Sequence, residues 1–160
     1  MTQKPKSLLI IAHTPSPNTI KMAEAMLAGA NDSTVENVTV KLMSPFDCDS
    51  DAVLRSDALI LFTTENFGYM SGALKDFFER VYYPCLSDAK HNDAKPFALV
   101  IKAGLDGTGT EISVSKITAG LKWRQVQPTI ICKGDFEPGF VEQCRDIGLT
   151  IAASLEAEII

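Results

Sequence analysis

No apolar run in the chain reaches the length that a bilayer crossing demands; runs such as residues 58–62, ALILF, stop at strand length. Residues 8–12 are likewise far shorter than a signal-peptide core, so a cytoplasmic location is the expectation. Basic residues are in deficit. Fifteen Lys and Arg face 20 Asp and Glu, a formal charge of -5, which argues against nucleic acid and anionic membranes as partners because both reward basic patches. Cysteines spaced for metal or redox chemistry are missing too: Cys48, Cys85, Cys132 and Cys144 contain no C-x-x-C pair. The apolar surroundings of Cys132 and Cys144 suit reduced core thiols, and no metal site is expected. Neither a repeat nor a linker divides the 160 residues, which therefore read as one domain, 1–160, long enough for its own core.

What is present alternates between strand and helix. Residues 7–12 and 97–101 are short apolar runs, residues 37–42 alternate with β-branched side chains, and 126–132 form a last strand in spite of Pro128. Residues 58–62 are apolar throughout, as in a strand covered on both faces. Helical periodicity appears at Ile20, Ala23, Leu27 and Ala30, weakly over 110–121, and again at Val141, Cys144, Gly148, Ile151, Ala152 and Leu155. It is clearest at Met70, Leu74, Phe77, Phe78 and Val81. Residues 51–56 hold a short helix at most, and 82–95, with Pro84, read as a polar connection.

Five strands alternating with helices predict an α/β three-layer sandwich with a five-stranded parallel sheet, because right-handed crossovers place helices on both faces. In the flavodoxin-like strand order, 2-1-3-4-5, the loops after the first, third and fourth strands meet at one rim, where open α/β sheets bind ligands.

Each of those loops has some chemistry. Residues 13–19, HTPSPNT, set His13, the hydroxyls of Thr14, Ser16 and Thr19, and the amide of Asn18 at a helix start, where unpaired N–H groups favour a phosphate. The same residue types are ordinary helix caps, so the loop alone fits either role. Thr64, Glu65, Asn66, Phe67, Gly68 and Tyr69 follow the third strand; the two aromatics can pack on a flat ring or enter the core. In the loop 103–109, Ala103 is followed by Gly104, Gly107 and Gly109, which permit close backbone approach.

The first loop resembles the flavodoxin phosphate loop, T/S-x-T/S-G-N-T, at Thr14, Ser16, Asn18 and Thr19. The stretch 63–81, TTENFGYMSGALKDFFERV, more closely resembles a motif of NAD(P)H:quinone reductases and NADPH-dependent FMN reductases, P-x-x-F/Y-G-x-M-S-G-x-x-K-x-F-F-D/E-R. Phe67, Gly68, Met70, Ser71, Gly72, Lys75, Phe77, Phe78, Glu79 and Arg80 match it. Gly107, Gly109 and Glu111 look like the third flavin loop, G-x-G-x-E. The resemblance implies noncovalent FMN, with its phosphate on Thr14, Ser16, Asn18 and Thr19 and its ring held by Glu65, Asn66, Phe67, Gly68 and Tyr69 and by the loop 103–109. It implies hydride transfer from NAD(P)H through FMN to a quinone or similar small electron acceptor, by a ping-pong route with no catalytic side chain.

Two departures stand out. Pro17 replaces the loop glycine and removes a backbone N–H, and Thr63 replaces the proline of the second motif, a minor change by its chemistry. The chain is also shorter than the quinone reductases it resembles, which leaves a homo-oligomer open. A flavodoxin-type electron carrier, or a fold that has lost FMN, are the alternatives. A phosphoacceptor receiver is disfavoured because Thr63, Thr64 and His13 stand where acidic residues are needed, and a low-molecular-weight phosphatase because the first loop has neither Cys nor Arg.

Overall fold

The computed structural model describes residues 3–160. Its elements run β1 (Lys6–Ala12), α1 (Pro17–Ala30), β2 (Val38–Met43), α2 (Ser50–Leu54), β3 (Ala58–Asn66), β4 (Tyr69–Met70) and α3 (Gly72–Leu86). Then follow α4 (Ala89–Asn92), β5 (Pro96–Ala103), α5 (Thr108–Gly120), β6 (Arg124–Gln125), β7 (Ile130–Lys133) and α6 (Pro138–Glu156). The sheet order is β2-β1-β3-β5-β6, with β7 also parallel to β5 and β4 antiparallel to β3. The expected five positions are therefore filled in the expected order by six strands, β6 and β7 sharing the last, and β4 is added on the end of β3.

Both extra strands have local causes. Phe97 faces Gln125 and Val100 faces Ile130, so β6 and β7 together advance two residues more than β5 does. Pro128 lies in that excess, and a residue without an N–H interrupts a ladder. The other addition is a hairpin: Asn66 pairs with Tyr69 across Phe67 and Gly68, whose φ values of 55° and 71° are both positive. That is the conformation that matches the twist of paired strands.

Successive strand residues face opposite layers. Leu8, Ile10, Ile60, Phe62 and Val100 face α1 and α6, whereas Leu9, Ile11, Leu59, Leu61 and Leu99 face α3 and α5. Side chains such as Phe62 and Phe77, fully buried, contribute about 1.5–3 kcal/mol each. The helices α1 and α6 touch through backbone: a Cβ on Gly29 would lie 1.9 Å from the Arg145 carbonyl, and one on Gly148 2.1 Å from that of Met26. The buried face of α1 is Met22, Ala23, Met26, Gly29 and Ala30, rotated from the predicted stripe, with Ile20 exposed.

The stripe Met70, Leu74, Phe77, Phe78 and Val81 is buried as its spacing predicts. However, α3 continues to Leu86 through Pro84 instead of ending in a polar connection, because Pro84 falls in the final turn and removes only one late hydrogen bond. Residues 89–92 form the short α4 within that segment. All four thiols are buried. Burial pushes Cys48 and Cys144 up to about 12 and Cys85 and Cys132 to about 11, so they pack as apolar groups. Among the described residues no helix is long and apolar enough to cross a membrane.

Candidate functional site

Parallel strands deliver their following loops to one end of the sheet. β1 lies beside β3 and β3 beside β5, so the loops after these three strands are neighbours at the carboxyl rim. His13 is tied there by its N–H, which donates to the Phe62 carbonyl at 3.0 Å. Burial lowers its pKa, which favours the neutral imidazole.

The first loop is closed on itself. The Ser16 N–H donates to Thr19 Oγ1 at 3.0 Å, the Thr19 N–H donates to Ser16 Oγ at 3.2 Å, and the Thr19 hydroxyl donates to the Ser16 carbonyl at 2.9 Å. This reciprocal capping box opens α1. Thr19 is buried, whereas Asn18 is exposed and Thr14 half-buried. Pro15 and Pro17 have no N–H to offer.

The second and third loops are joined by Glu65. Its Oε1 accepts the Leu105 N–H and its Oε2 the Gly107 N–H, each at 2.8 Å. Gly107 is the N-cap of α5 and has φ 73°, so the carboxylate also sits at the positive end of that helix. A second contact is steric: a Cβ on Gly109 would stand 1.9 Å from the Gly68 carbonyl oxygen. Glycine there lets the hairpin rest on the first turn of α5. Asp106 accepts the Thr108 N–H at 3.1 Å, which holds its carboxyl below the usual range.

Below the hairpin, Thr63 is fully buried. Its Oγ1 accepts the Ser71 N–H at 3.0 Å and lies 3.0 Å from Ser71 Oγ, which in turn accepts the Leu74 N–H at 3.2 Å as the cap of α3. The replacement of proline by threonine is thus not minor: the hydroxyl fixes the hairpin stem to the helix, and a proline has no such group. Thr64 hydrogen-bonds Asn66 at 3.0 Å and stiffens the same strand end.

The rim is apolar at its top. Phe67 is fully exposed at 106%, Leu105 is 73% exposed and Tyr69 42%. Phe67 also holds a left-handed conformation that a bulky side chain adopts only under constraint. Of the other predicted positions, Gly104 is exposed with open space around it. Ala103 ends β5, buried, its carbonyl accepting the Gly134 N–H at 2.8 Å. The role of Leu105 and the pairing of Thr63 with Ser71 are visible only in the structure; a large apolar residue between loop glycines is the sequence signal that marks Leu105.

Aromatics elsewhere are placed differently. Trp123 is buried against Phe78 and Phe97 and donates its ring N–H to Asn92. Tyr82 and Tyr83 sit in the last turns of α3, away from the rim, while Phe136 follows β7 and packs edge-on against Phe140. Arg80 braces the loop after β2 by donating to the Cys48 and Pro45 carbonyls at 2.8 and 2.6 Å. His91 pairs with Asp88 at the opposite end of the sheet, beside a cavity of about 820 Å³ also lined by Lys4, Arg55 and Asp57. That cavity is remote from the three loops.

No protein-family model matches the chain, and no curated protein matches it in sequence. Solved structures do resemble it. A flavodoxin from the domain Archaea superposes with a TM-score of 0.77 at 19% identity, over 94% of this chain and 99% of that one. The flavodoxin, WrbA-like protein from Agrobacterium tumefaciens matches with a TM-score of 0.73 at 20% identity, over 97% and 99%. The two-electron reduced Megasphaera elsdenii flavodoxin matches with a TM-score of 0.72 at 16% identity, over 91% and 98%. The fold of this chain is flavodoxin-like.

Proposed function

We propose that the chain is an FMN-binding flavoprotein acting as an NAD(P)H-dependent oxidoreductase on quinones or similar small acceptors. The observation that carries this reading is the exposed apolar rim of Phe67, Tyr69 and Leu105 above two loops locked together by Glu65. A planar ring needs flat apolar cover with a few fixed polar groups at its edge, and this rim supplies both. The ring end of FMN fits these residues. The phosphate end fits less well, since Ser16 and Thr19 of the first loop are engaged in their own cap.

FMN, when bound, supplies the hydride and electron chemistry. The chain's part is to bind and orient. Phe67, Tyr69 and Leu105 cover the ring and exclude water, Glu65 fixes the third loop, and the hairpin is held by Thr63 and Ser71. His13 is held by its backbone N–H to Phe62, and burial favours its neutral imidazole. Cytoplasmic location and a small-molecule acceptor belong to the same proposal.

The runner-up is a flavodoxin-type carrier, favoured by the likeness to a flavodoxin solved in its two-electron reduced form. Steady-state assay separates the two. With FMN-loaded protein and a benzoquinone, an oxidoreductase consumes NADH or NADPH through many turnovers. A carrier gives no sustained consumption, and that result would overturn the enzymatic reading.

A further inference from the structure

We infer that this site selects a flavin by its ring and takes little from its terminal phosphate, so that riboflavin binds nearly as well as FMN. The inference rests on the flavin reading above and assigns Pro17 as the residue that sets this preference.

The first loop is the place where a phosphate beside α1 would sit, and its donors are largely committed. Pro15 and Pro17 carry no N–H. Those of Ser16 and Thr19 donate into the capping box at 3.0 and 3.2 Å. The Thr19 hydroxyl donates to the Ser16 carbonyl, and Thr19 is buried. What remains is the backbone N–H of Thr14 and Asn18, with the Thr14 hydroxyl, the Ser16 hydroxyl proton shared at most with Thr19 Oγ1 at 3.0 Å, and the exposed Asn18 side chain. No Lys or Arg lies in the loop; the nearest in sequence, Lys21, stands 5.9 Å from the Phe136 ring centroid. The neighbouring His13 is held toward its neutral form by burial.

A phosphate dianion gives up strong hydration on entering a site, and only several charge-assisted hydrogen bonds recover that loss. Two free backbone N–H groups, the Thr14 and Ser16 hydroxyls and an exposed amide, all neutral and without a cation, are a thin replacement for that hydration. The ring end differs: Phe67 and Leu105 are exposed and apolar, and burying them against a ring is favourable without any charge. Binding is thereby weighted toward the ring.

The test compares FMN with riboflavin by quenching of flavin fluorescence in phosphate-free buffer, for the full chain and for Pro17→Ala. Alanine restores the N–H at the first helical position while keeping a good helix former there. The expected result is a riboflavin Kd within about tenfold of that for FMN, and an FMN Kd lowered about tenfold by Pro17→Ala with riboflavin unchanged. A riboflavin Kd more than about tenfold weaker than that of FMN overturns the inference and leaves the flavin reading standing. Equal effects of Pro17→Ala on both ligands, or none on FMN, overturn the assignment to Pro17. Binding of neither flavin overturns the flavin reading and this inference with it. Far-ultraviolet circular dichroism of the variant confirms that α1 is intact in each case.

Discussion

Glu65 and Gly107 stand 42 residues apart in the chain, yet the carboxylate of the first accepts the backbone N–H of the second at 2.8 Å, while its other oxygen takes the N–H of Leu105. One side chain thus sets the spacing between the hairpin and the loop that follows β5. The apolar rim depends on that spacing, because Phe67 rises from one side and Leu105 from the other.

Glu65→Ala therefore frees the loop 103–109 without opening the core. Amide exchange at Leu105 and Gly107 is expected to accelerate, and FMN affinity to fall about tenfold. Glu65→Gln, which keeps one carbonyl acceptor, is expected to lie between. Hydrogen exchange by NMR with a fluorescence titration reads both effects.

Gly109→Ala places a Cβ 1.9 Å from the Gly68 carbonyl oxygen, well inside van der Waals contact. Backbone must move on one side or the other. The expected loss is about 1–3 kcal/mol, measured by urea unfolding, with weakened flavin binding because the hairpin tilts.

Phe67→Gly should separate stability from binding. Glycine holds a φ of 55° without the strain of a large side chain, and Phe67 buries nothing in the fold. The variant is expected to be about 0.5–1 kcal/mol more stable, after allowing for glycine's freer unfolded chain, and to bind flavin less tightly. Thermal melting and titration on the same sample check it.

His13 gives a pH dependence of known sign. Burial lowers its pKa from the ordinary 6.5, so between the native value and 6.5 the unfolded chain binds more protons. Its contribution to stability is present above 6.5 and lost as pH falls through the native value. Unfolding free energies at about pH 7.5 and about pH 5.5 should differ less in His13→Asn than in the parent chain.

Much of this architecture was legible in sequence because its causes are local. The period of Met70, Leu74, Phe77, Phe78 and Val81 needs no tertiary information to place α3, and unbroken runs such as ALILF announce strands covered on both faces. The stripe on α1 differs from its sequence reading because its many alanines leave the face weakly defined, and Gly29 and Met26 lie against α6 at Arg145 and Gly148. The hairpin escaped notice since Phe-Gly is not the usual residue pair for its turn, and a two-residue strand carries no alternation. At the candidate site, residue types were readable but partnerships were not. Nothing near Glu65 in sequence says that its acceptors are spent on Leu105 and Gly107, and nothing near Thr63 shows Ser71 waiting eight residues on. Those bonds exist only once the strands are in register.

The central claim is that this rim holds a flavin, and the visible absorption spectrum tests it most directly. Protein purified without added flavin would be scanned, mixed with FMN, passed through gel filtration and scanned again. The account predicts flavin bands that travel with the protein, with a shifted maximum from the apolar cover of Phe67, Tyr69 and Leu105. Protein that emerges colourless after incubation with FMN, and again after riboflavin, would contradict it.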